Sequence, residues 1–493
     1  MGAWITPFTK QCLVTLGVAI NVGQFGLVMS YTAVLLPQLK ATDSTVPVDD
    51  TSASWIAAVP GFALLLGNFT IPSIMSRYGR KIAHVISVLV VALGWLCVVA
   101  AQDIVWLLVA RLLQGLSMGM STTLGPMLIG EYTSPINRGA FLSTIGLSMS
   151  VMTLSAHTLG AYLSWQITAA ICTLISLLDL VIVLYSPESP TWLADQGRYE
   201  DCKRNFRWLR GDFEETELKK MIEASQLVIE SKAETTITET SFGNRLRKNL
   251  IYFKSTLVKR EFYKPILIMI HMYMIAHWGG INIISAYTLD TFHYVIGDSR
   301  YDALLIITLD IQRIISNTAA IFAMRRIKRR TMLFSLLAVN IAALVGTGAY
   351  AYAKMNHLLP YDHIAFGIIL MHIHTFSVVT GSLPLPMVIS GEIFPKQYKS
   401  LASGISALFY SLNFILTVKT VLLLYSTVKL YGAYFIYAGV LTYCFVVAWC
   451  TLPETKGKTL QDIELEFMGG ASVATPRATE TPNETSPLNE NAS

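Results

Sequence analysis

Acidic and basic side chains that recur at matched spacings are the first residues of this chain able to do chemistry. Glu131 stands seven positions before Arg138, and Glu392 stands seven before Lys399. Arg77 and Arg80, within RYGRK, are echoed by Arg326 and Arg329 within RIKRR. Such groups form ion pairs that can be made and broken. One exposed pair contributes only about 0–1 kcal/mol, but several acting together bias a two-state equilibrium. A further pair, Asp310 and Arg313, is three residues apart and so shares one helix face. No nucleophile–base set, phosphate loop, GxGxxG or metal-ligand spacing stands out, which points away from an enzyme and implies no cofactor and no metal.

Long apolar segments must position these groups. The chain is 53% hydrophobic and 14% charged over 493 residues, where a soluble protein carries roughly a quarter charged residues. The runs 14–36, 82–101, 167–184, 303–323 and 434–452 each approach the roughly 20 residues that cross hydrocarbon. Basic clusters follow alternate spans: Arg77, Arg80 and Lys81; Arg138; Arg325 to Arg330; Lys396 and Lys399. The intervening loops hold Asp43, Asp49, Asp50, Asp103, Asp298 and Asp302 instead. Basic loops stay on the cytoplasmic side, so both termini are expected there. The expected surroundings are a lipid bilayer, with no nucleic acid and no obligate protein partner.

The spans fall into two groups of six. Residues 187–264 are too polar for a bilayer, and 199–209 and 214–229 have helical periodicity. Residues 454–493 read as a largely disordered cytoplasmic tail. The halves echo each other: SPESPTWL closes the first at Ser186–Leu193, and LPETKGKTL closes the second at Leu452–Leu460. The expected fold is an all-α membrane protein with twelve transmembrane helices in two pseudo-symmetric six-helix bundles. Its parts are bundle 1–186, cytoplasmic helical linker 187–264, bundle 265–453 and tail 454–493. A duplicated bundle with a cavity between its copies is the architecture of rocking transporters.

At these residues the chain resembles the sugar porter family of the major facilitators over nearly all its length. The resemblance rests on PESPTWL with the GRYEDCKRNFRWLRG that follows, LPETKGKTL, GEIFP at Gly391–Pro395, GEYTSPINRG at Gly130–Gly139, and GRK at Gly79–Lys81. Around the tenth and eleventh spans it is most like the insect facilitated trehalose transporters. The resemblance implies a plasma-membrane carrier for a hexose or a trehalose-like disaccharide, working by alternating access. It also implies a cytoplasmic gate at Arg77, Arg80, Glu131, Arg138, Arg326, Arg329, Glu392 and Lys399, with ion pairs between the halves. The plainer reading of those residues is that basic side chains anchor cytoplasmic helix ends, and it is preferred for Lys328 and Arg330.

The chain departs from the family pattern at several of these places. Ser76 stands where an acid usually precedes Arg77, and Lys399 replaces an arginine and loses the bidentate fork. Val28 stands where proton-coupled members carry an aspartate. Valine cannot titrate, so passive transport is expected.

Sugars need amides, hydroxyls and aromatic faces. The family supplies them from its fifth, seventh, eighth, tenth and eleventh spans. Here Asn282 is kept, His277 and Ala276 replace paired glutamines, Met387 replaces a tryptophan, and Tyr410–Ser411 replaces an Asn–Trp pair. Ser150 takes the place of the fifth-span glutamine. Trp278, Tyr287 and Asn413 complete the candidate set, with ordinary helix packing as the alternative for the aromatics. Arg313 has two readings: a self-neutralising pair with Asp310, or a group that recruits an organic anion. A third class, a non-transporting solute sensor, finds no evident signalling domain in the tail.

Overall fold

The computed structural model describes residues 6–42, 44–211, 214–236, 255–280, 292, 302–361, 363–394, 399–456, 463 and 466–467. Six long helices come first: α1 (Pro7–Lys40), α2 (Asp50–Tyr78), α3 (Arg80–Val99), α4 (Ile104–Tyr132), α5 (Pro135–Tyr162) and α6 (Trp165–Tyr185). Three shorter helices follow, α7 (Pro190–Asp195), α8 (Tyr199–Arg210) and α9 (Glu215–Thr236). The second set is α10 (Arg260–Trp278), α11 (Asp302–Arg326), α12 (Arg329–Met355), α13 (Ile364–Ser377), α14 (Pro384–Ile393) and α15 (Lys399–Thr451). A π-helical turn at Val378–Ser382 joins α13 to α14, and a non-helical Lys429 folds α15 into two spans.

Eleven helices among the described residues are long and apolar enough to cross a membrane. The twelfth is α10, whose apolar stretch is diluted by Glu261, Lys264, His271 and His277. Large apolar side chains on the outer faces, such as Leu93, Leu174, Val181 and Leu184, are exposed, as a lipid-facing surface requires. The acidic loops have a second use here: Asp49 and Asp103 are the N-caps of α2 and α4, accepting from Ser52 N at 3.1 Å and Trp106 N at 3.0 Å.

Buried polar bonds and close crossings hold the first set together. Tyr31 donates to the Trp165 carbonyl at 2.7 Å. Trp95 donates to Gln24 at 3.0 Å, and Gln24 to Ser176 at 3.1 Å, so α1, α3 and α6 are tied in series. Small residues bring α2 and α4 into backbone contact. A Cβ at Gly119 would lie 2.1 Å from the Leu64 carbonyl oxygen, and one at Gly115 would lie 2.3 Å from that of Pro60. Arg111 lies well inside α4 and is fully buried, donating to the Val28 carbonyl at 2.9 Å and to Thr32.

In the second set, α10 ends at Gly279 and Gly280. The Gly279 carbonyl accepts from His374 at 2.7 Å and Asn340 at 3.4 Å. Gly280 has φ +96°, and a Cβ there would strike the His374 ring at 2.7 Å, so only glycine fits.

Helices α8 and α9 fall on the two stretches read as helical, α7 was not expected, and together the three enclose Leu193, Cys202, Phe206 and Leu218. Arg210 docks them, donating to the Glu131 and Thr133 carbonyls at 3.2 and 2.8 Å while paired with Glu217 at 2.8 Å.

Candidate functional site: two charge networks and the interface between the halves

Each set of helices carries one network at corresponding ends. In the first, the Arg80 guanidinium meets Glu131 at 2.9 Å and donates to the Met75 carbonyl at 3.2 Å. Ser189 donates to the same Glu131. Glu188 accepts from the backbone N–H groups of Arg80 and Lys81, at 2.9 and 3.1 Å, where the α3 dipole favours an anion. Burial nonetheless pushes the Glu188 carboxyl above its usual range.

The second network repeats these bonds. Arg329 meets Glu392 at 3.3 Å and donates to the Met324 carbonyl at 2.5 Å. Thr455 donates to Glu392 at 2.6 Å. Glu454 accepts from the N–H groups of Arg329 and Arg330 at 3.0 and 3.1 Å. The outer basic residues match too, with Lys81 donating to the Leu184 carbonyl at 2.7 Å and Arg330 to that of Trp449 at 3.0 Å.

Four of the eight candidate gate residues are thus brought into networks: Arg80, Glu131, Arg329 and Glu392. Both ion pairs lie within one half, whereas pairs between the halves were expected. Arg77 and Arg326 are exposed; Arg77 lies over the Tyr78 ring at 5.4 Å. Arg138 is half-buried on α5, and its Nε has no hydrogen-bond partner among the described residues. The Lys399 side chain lies outside the description. Sequence reasoning missed Glu188, Ser189, Glu454 and Thr455 as network members. Their signal was present, because both quoted segments place an acid and then a hydroxyl after proline.

The candidate substrate residues divide differently. Asn282 and Tyr287 lie outside the described residues. His277, Trp278, Tyr410 and Asn413 come together between α10 and α15. The His277 and Tyr410 rings are 4.4 Å apart, and Trp278 donates to Asn413 at 3.3 Å. Trp278 also packs on Tyr437 at 4.9 Å, so much of this cluster is bonded to itself. Met387 is exposed on α14, apart from the cluster.

Ser150 and Arg313 sit instead where α5 meets α11, across the boundary between the two sets. Asn317 donates to Ser150 and to the Gly146 carbonyl there. Arg313 is 3.2 Å from Asp310, and Asp310 is also 2.6 Å from His157 of α5. His157 was missed, since a single histidine in an apolar segment carries no spacing signal. A second contact across the boundary stacks Lys419 over Trp55 at 3.9 Å.

Two bundles that meet where α5 packs on α11 and α2 on α15, with matched networks at corresponding ends, define a membrane transporter of the major facilitator type. The fold of the proton:xylose symporter XylE bound to 6-bromo-6-deoxy-D-glucose superposes with a TM-score of 0.71 at 17% identity, covering 94% of this chain and all of that one. The inward-open xylose transporter XylE from E. coli matches equally well, with TM-score 0.71 and the same coverage. The chain belongs to the family described as "Sugar (and other) transporter", which matches residues 14–467. Relatives include the facilitated trehalose transporters Tret1 of Apis mellifera ligustica and Bombyx mori. They are 26% and 24% identical, covering 94% of this chain and 89% and 87% of theirs. The mouse facilitated glucose transporter member 8 of solute carrier family 2 is 25% identical, over 93% of this chain and 94% of its own length.

Proposed function

We propose that this protein passively carries a sugar, a hexose or a trehalose-like disaccharide, across the plasma membrane by alternating access. The observation that carries the reading is the duplicated Arg–Glu–Glu network, one copy in each half. Each copy ties two or three helix ends and the segment after the last span of its half into one body. Residues 1–186 and 265–453 then rock as rigid units around a site between them. The linker 187–264, the tail 454–493 and both termini are cytoplasmic in this reading, which puts the networks on the cytoplasmic side.

The choice of a neutral solute has two supports. The relatives are named for trehalose and glucose. Arg313, the strongest candidate for holding an anion, has Asp310 as its counter-charge. The passive mode is supported by Val28, which cannot titrate. Asn282 is the amide assigned to sugar hydroxyls, and transport needs no covalent step.

Uptake of labelled trehalose and glucose into vesicles, with and without a proton gradient, tests this reading. Saturable uptake that persists without the gradient, and falls at least about tenfold in Asn282→Ala, is expected if paired amide bonds to the sugar are lost. Sugar uptake abolished by a protonophore would overturn the passive mechanism, and no uptake from inserted protein would overturn the substrate.

A further inference from the structure

The corners beside the two networks can be compared position by position. The Met75 and Met324 carbonyls accept from Arg80 and Arg329, so MSRYGRK at 75–81 corresponds to MRRIKRR at 324–330. In that register Arg325 replaces Ser76 and Lys328 replaces Gly79. Both networks make the same bonds, so neither extra cation is needed to build one. The backbone differs at the second place too. Gly79 has φ +101°, and a Cβ there would strike the Glu188 carboxylate, whereas Lys328 is extended at φ -65° and ψ 144° and begins α12.

The surroundings of the two corners differ as well. In the first half, Trp192 of α7 covers the turn and donates to the Ser76 carbonyl at 3.1 Å. In the second, Arg325, Arg326 and Lys328 are all exposed, and among the described residues none of them has a carboxylate within ion-pair distance. Lys456 joins them, donating to the Arg325 carbonyl at 2.8 Å. Next to this group the Arg330 guanidinium lies over the rings of Phe334 and Trp449, at 5.7 and 5.9 Å. Trp449 is 57% exposed near the end of α15. An exposed tryptophan at the end of a spanning helix marks the level of the lipid headgroups, so the cations lie at that depth.

We propose that Arg325, Arg326, Lys328 and Lys456 form a binding site for the headgroups of anionic phospholipids, in the leaflet at the network end. Four or more cations immediately beyond a spanning helix attract an anionic leaflet. An arginine fork also takes two phosphate oxygens at once. The exposed Ile327 and Trp449 give the apolar part of the same lipid a surface beside the charges. Basic loops in general fix orientation during insertion. What is particular to this corner is that its additional cations are exposed, unpaired and level with an interfacial tryptophan. Lipid then holds the second half at the place where the linker helices hold the first. The proposal rests on the membrane-spanning architecture and not on the cargo.

The test uses no sugar, so its failure is separable from failure of the transport reading. The full chain is purified in detergent and titrated with a short-chain fluorescent phosphatidylserine, read by anisotropy, with the matching phosphatidylcholine as reference. Saturable binding of phosphatidylserine is expected, weakening as salt is raised. Arg325→Ser/Lys328→Gly gives this corner the residues of the first half and should weaken binding about thirtyfold, a factor of about five for each cation removed. Arg325→Gln/Lys328→Gln, which keeps the side-chain bulk, should do the same, and both variants must elute as folded monodisperse species. Arg198→Gln/Arg204→Gln, which removes two exposed cations from the start of α8, should leave the affinity unchanged. Equal affinity in the native chain and the corner variants, or equal affinity for the two lipids, would overturn the proposal. Displacement by soluble glycerophosphoserine as readily as by the lipid would also overturn it, because the ligand would then be a free anion.

Discussion

The charge networks and the α5–α11 interface are both polar clusters in a lipid-facing protein, yet they are built on opposite plans. Each network exists twice and stays within one half. One acid of each copy, Glu188 or Glu454, occupies a helix N-terminus, and the bonds run to backbone as often as to side chains. Among the described residues, the interface cluster occurs once, joins the halves, and leaves His157 Nε2 and Arg313 Nε without hydrogen-bond partners. A network whose bonds stay inside one body survives rocking and keeps that body rigid. A cluster shared by two bodies must come apart in each cycle, and incomplete satisfaction makes that separation cheaper.

The largest expected effect breaks the interface. Arg313→Ala leaves Asp310 buried beside a histidine alone and should destabilise the protein by about 3–5 kcal/mol. Thermal unfolding in detergent reads this, and the Arg313→Ala/Asp310→Ala double variant should recover most of the loss. A double-variant loss equal to the sum of the Arg313→Ala and Asp310→Ala losses would show that the two residues are not coupled.

Next come the equivalent acids of the two networks. Glu131→Gln should cost about 2 kcal/mol and Glu392→Gln about 1 kcal/mol, because charge-assisted bonds weaken with exposure. Their side chains are 13% and 32% exposed. Transport should slow in both variants. A variant pair in which only one half responds would break the claim that the copies do the same work.

Smaller still are the hydroxyls that donate to these acids. Ser189→Ala and Thr455→Val should each cost about 1 kcal/mol by the same unfolding measurement. A control lies outside both regions: Lys429 sits at φ +61°, so Lys429→Gly should stabilise by about 1 kcal/mol.

The same contrast explains what could be read from the sequence. Repetition made the networks visible: an acid seven positions before a base, and an acid after proline, each appear in both halves. Even so, the partners were misread. Helix ends bring Arg80 to Glu131 within the first half, whereas Arg138 lies on the next helix and its Nε has no hydrogen-bond partner among the described residues. The Asp310–Arg313 pair was legible because helix periodicity alone puts both on one face. His157 was not, since its partner lies on a helix of the other half and nothing local marks the meeting. Likewise His277, Trp278, Tyr410 and Asn413 were singled out by type, but only packing shows that they bond largely to each other.

The central claim is that two rigid halves alternate about the site between them. Tyr78 and Ile327 are exposed and occupy equivalent places beside the two networks, so spin labels there report the separation of the two ends directly. Pulsed electron–electron distance measurement in lipid should give two populations, whose ratio moves when trehalose or glucose is added. A single distance that no sugar shifts would contradict the account.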